Sequence, residues 1–144
     1  MKLFVINGPN LNMLGVREPE IYGKKTLADL EEFIISVCNR EGIEVELFQS
    51  NHEGSIVDAI QRCFAVADGI IINAAAYTHT SVAILDALKA VNLPAVEVHI
   101  SNINEREEYR KVSYVGKACY DHYMGEGFVS YEKAVMSLKG KCGK

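Results

Sequence analysis

Residues 69–100 read GIIINAAAYTHTSVAILDALKAVNLPAVEVHI, an apolar β-branched run, a helix-spaced segment and a second apolar run entered through Pro94. Strands are expected at 69–72 and 95–100. The helix between them begins near Thr80 or Ser81, carries Val82, Leu85, Leu88 and Val91 as its buried stripe, and ends at Leu93-Pro94. Strand, helix and strand make a βαβ unit, whose right-handed crossover sets the two strands parallel. Apolar runs without alternation place both strands inside a sheet covered on its two faces.

The flanking sequence continues the alternation. Residues 2–6 form a short β-rich run, and 43–48 alternate apolar with acidic side chains, as at a sheet edge. Thr26 with Asp29 opens a helix carrying Leu27, Leu30, Phe33, Ile34 and Val37, which stops at Gly42; Ser55 with Asp58 opens the next, ending near Gly69. A fifth strand is expected at 118–124, interrupted by Asp121 and His122 and therefore an edge strand with one wet face. A final helix follows at 127–138, and 140–144 reads as a frayed tail. The expected architecture is a single α/β domain, residues 1–144, with a flavodoxin-like doubly wound five-stranded parallel sheet of order 2-1-3-4-5 and helices on both faces.

Composition agrees with one such domain: the chain has 144 residues, 49% of them hydrophobic, enough to bury a core unaided. A formal charge of −4 and a pI near 5.6 remove any general attraction for nucleic acid or anionic membrane. The apolar opening is too brief for a signal peptide or a spanning helix, so the expected location is the cytoplasm. Cys38, Cys63, Cys119 and Cys142 show no C-x-x-C pairing and read as reduced thiols, the first two as helix packing residues.

Doubly wound sheets bind ligands outside the carboxyl ends of their strands, beside the switch in strand order. Asn7 to Asn10 follow the first strand, Asn73 follows the third with Tyr77 and His79 in its loop, and His99, Ser101 and Asn102 end the fourth. The loop after the first strand is long, with a lid expected at about 11–23, and it holds Arg17 and Tyr22 between glycines. Its amides and guanidinium suit a polar, anionic small molecule. No G-x-G-x-x-G or G-x-x-x-x-G-K-[ST] follows the first strand, and His52, His79, His99 and His122 lack any recognised metal spacing. His52 reads as a loop residue and His122 as a surface one.

These segments together resemble the type II 3-dehydroquinate dehydratases, or type II dehydroquinases. The resemblance rests on Asn7-Gly-Pro-Asn-Leu-Asn with Arg17-Glu-Pro-Glu-Ile-Tyr22-Gly, on Gln49-Ser-Asn-His-Glu-Gly, on Asn73-Ala-Ala-Ala-Tyr-Thr-His79-Thr-Ser-Val-Ala, on Glu97-Val-His99-Ile-Ser101-Asn and on Arg106-Glu-Glu-Tyr-Arg110. It runs from about residue 3 to about residue 117. It implies an enzyme of the shikimate or quinate route that removes a proton beside the ketone of 3-dehydroquinate, passes through an enolate, and expels the neighbouring hydroxyl as water. It further implies that Tyr22 is the base, Arg17 its activator, His99 the general acid, and Asn10 the holder of a water against the enolate. Asn73, His79, Asp86, Ile100, Ser101 and Arg110 would bind substrate, with Asp86 reaching in from a neighbouring subunit. Family members assemble as dodecamers built from trimers and need neither metal nor organic cofactor. Leu85, Lys111-Val112 and the strand around 119–124 depart from the family pattern; none of these touches Tyr22, Arg17 or His99.

The residue types suit that chemistry, which needs a base for the carbon-bound proton, a donor for the ketone oxygen and an acid for the leaving hydroxyl. A tyrosine ordinarily ionises far above neutrality, so a base at Tyr22 needs about 3–4 kcal/mol of preference for its anion, which a permanent charge at Arg17 supplies at close range. Glu97, two positions before His99 on the same strand face, is placed to orient the imidazole, and Arg110 matches a carboxylate as a fork. Plainer roles stand beside these. Without Arg17 and the resemblance Tyr22 reads as a loop tyrosine packing on the domain, and with them as the base; Asn10 and Asn73 also read as turn residues, His79 as a helix cap and Asp86 as a solvated helix position. The alternative function is a flavodoxin-like module that holds phosphate or flavin without catalysis.

Overall fold

The computed structural model describes residues 1–16, 18, 20 and 24–143. Five parallel strands, β1 (Lys2–Asn7), β2 (Glu44–Gln49), β3 (Gly69–Asn73), β4 (Ala95–His99) and β5 (Asp121–Met124), form one sheet of order β2-β1-β3-β4-β5. Among the described residues three α-helices, α1 (Leu27–Arg40), α2 (Glu53–Arg62) and α3 (Val82–Val91), connect the first four strands, and α4 (Val129–Cys142) follows β5. This is the flavodoxin-like arrangement expected, with the alternating second strand and the interrupted fifth at the edges and β1, β3 and β4 inside.

Strand alternation divides the core in two. Leu3, Val5, Ile71, Val96 and Val98 face α1 and α4, against Leu30, Ile34, Tyr131, Val135 and Leu138. Phe4, Ile6, Ile70, Ile72 and Ala95 face α2 and α3, against Ile56, Ile60, Ile84 and Leu88. Each helix therefore covers one face, and the carboxyl ends of β1, β3 and β4 are left to build a site.

Helix signals hold where a side chain can reach the backbone. At α1 the Thr26 hydroxyl accepts from the Asp29 amide and the Asp29 carboxylate accepts from the Thr26 amide, a full capping box whose loss costs about 1 kcal/mol. Ser81 caps α3 by accepting from the Ile84 amide, and Asn92 ends that helix in the left-handed conformation. Val82 lies outside the buried stripe, which is Ile84, Leu85, Ala87, Leu88 and Val91, because the cap at Ser81 fixes which side of the first turn meets the sheet.

Three expectations are corrected. α2 opens at Glu53, not at Ser55: Glu53 in the first turn takes a 2.5 Å hydrogen bond from the Ser81 hydroxyl, and His52 sits at the helix entrance. It ends at Arg62, and a turn with Ala65 at φ +60° leads into β3. β5 covers only Asp121–Met124, with Asp121 and His122 inside it, because Val115–Ala118 form a 3-10 turn that buries Val115. α4 runs through Gly140 to Cys142, so the segment read as a frayed tail is helical that far; Lys139 pairs with Glu41 at 2.8 Å and Cys142 packs beside Asp68.

Candidate active site

The carboxyl ends of β1, β3 and β4 border a solvent-open cleft. Pro9, Asn10 and Leu11 line it from the β1 loop. Asn73, Ala75, Ala76 and His79 line it from the β3 loop, and His99, Ile100, Ser101, Ile103, Arg106 and Arg110 from β4 and beyond. Seven expected residues therefore come together: Asn10, Asn73, His79, His99, Ile100, Ser101 and Arg110. Asp86 lies exposed on α3, away from the cleft of its own chain. Arg17 and Tyr22 of the expected lid lie outside the described residues.

The first two loops are locked together. A side chain at Gly8 would put its Cβ 2.5 Å from the Ala74 carbonyl oxygen, so only glycine fits, and the Gly8 amide donates to the Asn73 carbonyl at 2.7 Å. Asn10 is left-handed, φ +69°, and its amide donates to Asn51 Oδ1 at 3.0 Å. Gln49 Nε2 donates to Gly8 O and to Asn51 Oδ1. The segment 49–54, which the sequence marks without a role, thus braces the loop that carries Asn10.

On the opposite wall, Glu97 is almost wholly buried and its Oε2 accepts from Thr78 Oγ1 at 2.9 Å and from the Ser113 hydroxyl, with His99 Nε2 at 3.0 Å. Burial pulls the carboxyl upward, but the hydrogen bonds and the His99 ring outweigh it and hold it below the usual carboxylate range. An ionised carboxylate only accepts, so His99 carries its proton on Nε2 and offers Nδ1 as its remaining ring nitrogen. Glu97 itself does not line the cleft; it acts through His99. A Cβ at Gly116 would stand 2.6 Å from Glu97 Oε1, so glycine makes room for the carboxylate. His122 is exposed as expected, yet its Nε2 comes within 3.8 Å of Glu97 Oε1.

His79 Nδ1 lies 2.7 Å from the Val112 carbonyl, which requires a proton on that nitrogen and leaves Nε2 to accept. Burial lowers its pKa, with the positive charge of Arg110 acting in the same direction. Arg110 Nε donates to Glu107, whose carboxyl is held down at about 2 by hydrogen bonds from Tyr109, from its own amide and from Arg110. Arg106 reaches Ser101 Oγ at 3.4 Å. Arg106, Thr78 and Ser113 were not singled out from the sequence. Arg106 and Thr78 stand inside the quoted motifs, whereas nothing in the sequence marks Ser113.

Comparison with known proteins identifies relatives of this chain. Residues 1–139 match the family model described as dehydroquinase class II. The 3-dehydroquinate dehydratase of Campylobacter hominis is 55% identical over 96% of this chain and 89% of its own length, and that of Clostridium acetobutylicum is 51% identical over the whole of both. The crystal structure of the type II dehydroquinase from Butyrivibrio crossotus superposes with a TM-score of 0.95 at 49% identity, covering 96% of this chain and 97% of that one. The chain belongs to the class II dehydroquinase family.

Proposed function

We propose that the protein eliminates water from 3-dehydroquinate to give 3-dehydroshikimate by anti elimination through an enolate, with Tyr22 as base and His99 as acid. Tyr22, ionised beside Arg17, takes the proton from the carbon next to the ketone, and its electron pair moves onto the ketone oxygen as an enolate. Asn10 holds a water against that oxygen. The electrons then return to form the carbon–carbon double bond as the neighbouring hydroxyl departs, taking a proton from His99 Nδ1 and leaving as water.

The observation that carries this reading is the His99–Glu97 pair. A histidine at the cleft wall has its far nitrogen on a buried carboxylate, which orients the ring with its other nitrogen available for substrate. Asn73, His79, Ile100, Ser101 and Arg110 bind the substrate's hydroxyl and carboxylate groups, Arg110 facing the carboxylate and neutral His79 accepting from a hydroxyl. Asp86, exposed on α3, serves the cleft of a neighbouring subunit, which requires a homo-oligomer; a dodecamer of trimers is the assembly that the family resemblance implies. Among the described residues no helix is long and apolar enough to cross a membrane, and the working location proposed is the cytoplasm. The scheme calls for no metal or organic cofactor.

Dehydration of 3-dehydroquinate creates a conjugated product that absorbs in the ultraviolet. Addition of substrate is expected to give a steady absorbance rise, reduced by orders of magnitude in Tyr22→Phe. Flavin or phosphate binding with no absorbance rise would replace the enzyme reading with that of a binding module.

A further inference from the structure

We infer that Tyr131, on the last helix, is a positioning residue of the active site, holding the Asn73 amide in place from beneath the cleft. The inference rests on the reading that Asn73 contacts substrate.

Tyr131 is completely buried, and its hydroxyl lies 2.6 Å from Asn7 Oδ1 and 2.9 Å from Asn73 Nδ2. An amide NH2 only donates, so the hydroxyl accepts from Asn73 and gives its own proton to Asn7. Asn7 and Asn73 are register partners at the last paired positions of β1 and β3. Between those two strands the connection reverses direction across the sheet, which is where a doubly wound fold places its ligand. Tyr131 therefore ties the two strand ends together at the base of the cleft.

The second end of the Asn73 side chain is also engaged. Its Oδ1 accepts from the Ala75 amide at 3.1 Å, and Ala75 adopts φ +52°, a conformation an alanine enters only when its surroundings impose it. With Nδ2 held by Tyr131 and Oδ1 by Ala75, the amide plane is fixed, and with it the Ala75–Ala76 backbone that lines the cleft.

Stability alone does not account for this cluster. Asn7 Nδ2 is buried with no hydrogen-bond partner, the one such side-chain atom among the described residues. A buried polar group left unpaired lowers stability, whereas apolar residues of similar shape at Asn7 and Tyr131 would avoid that loss. The cluster leaves Asn7 half satisfied while both ends of Asn73 are held.

Steady-state kinetics on Tyr131→Phe, Asn73→Ala and their double variant test the inference, with circular dichroism and melting temperature recorded for each. Tyr131→Phe is expected to lower kcat/KM by about 10- to 100-fold, and the double variant to be no worse than the worse single one, since both act through one amide. The pair Tyr131→Phe with Asn7→Leu guards against a purely structural effect. Removing the hydroxyl and its acceptor together is expected to recover part of the melting temperature lost in Tyr131→Phe, since only the Asn73 donor stays unpaired, while kcat/KM stays low. Normal kcat/KM in Tyr131→Phe beside a slow Asn73→Ala overturns the role of Tyr131 and leaves that of Asn73 intact. Multiplying losses in the double variant, or activity that returns with stability in the Asn7→Leu pair, does the same. A wild-type rate in Asn73→Ala removes the substrate contact itself, and this inference with it.

Discussion

Two polar clusters lie under the cleft on opposite faces of one sheet, and they solve the cost of buried polarity differently. On the α2–α3 face, Glu97 is an ionised group with Thr78, Ser113 and His99 all gathered on one oxygen. On the α1–α4 face, Asn7, Asn73 and Tyr131 are neutral and leave one amide nitrogen without a partner. A buried charge left unpaired is ruinous, so the carboxylate is surrounded by donors; an unpaired neutral amide costs about 1–3 kcal/mol and can be carried. The difference separates two tasks. The first cluster holds a charge that directs a ring proton, and the second sets only a position.

Glu97→Gln breaks the distinction most sharply. The side chain keeps its volume, but a glutamine amide can donate as well as accept, so it no longer dictates a proton on Nε2 of His99. Turnover is expected to fall by about 10²- to 10⁴-fold with the fold retained. Steady-state assay beside circular dichroism checks this, and a loss below tenfold would mean that the pair does not govern the acid. The effect should exceed that of Tyr131→Phe, because it alters the proton rather than the place of a contact.

Ser113→Ala sharpens the same comparison at smaller amplitude. It removes one donor from Glu97, so the carboxyl, held below its ordinary value, should move back toward that value. The sign follows from linkage: a carboxylate depressed in the folded state stabilises above the unfolded value of about 4.5 and loses that contribution as pH falls through the folded one. The variant should therefore unfold at a higher pH than the parent on acid titration, with about 1–3 kcal/mol lost near neutrality. An unchanged acid midpoint would show that Thr78 and His99 alone hold the charge.

The neutral cluster was also the harder to read from sequence. The βαβ alternation over 69–100 follows from uninterrupted apolar strands, and the cleft residues Asn73, His79, His99 and Ser101 follow from their places at or just beyond strand ends, whereas Arg110 was legible only through the family resemblance. Tyr131 lies 58 residues from Asn73 and 124 from Asn7, in a helix whose tyrosine carries no local mark of a buried hydrogen bond. Ser113 meets Glu97 only because the chain turns back after the 3-10 turn at Glu108–Arg110. Helix starts were legible at Thr26 and Ser81, whose hydroxyls accept from the backbone, and not at His52, whose side chain makes no cap. Sequence reports what acts within a few residues; side chains that meet across the sheet are legible only once the strand order is known.

His79 tests whether charge stays confined to the Glu97 side. It extends from the β3 loop, the strand that also supplies Asn73, and burial lowers its proton affinity while its Nδ1 is committed to the Val112 carbonyl. The expectation is a neutral ring beside the ionised Glu97 carboxylate. For a histidine with a depressed folded pKa, the unfolded chain binds the proton first, so stability is full above the unfolded value of about 6.5 and declines as pH falls below it. His79→Gln should flatten that decline in melting temperature between pH 6.5 and 5 and leave the carboxylate-driven loss at lower pH in place. A decline of unchanged slope would assign the titration to another group, and a variant whose acid midpoint also moved would tie His79 to the Glu97 charge instead of the neutral wall.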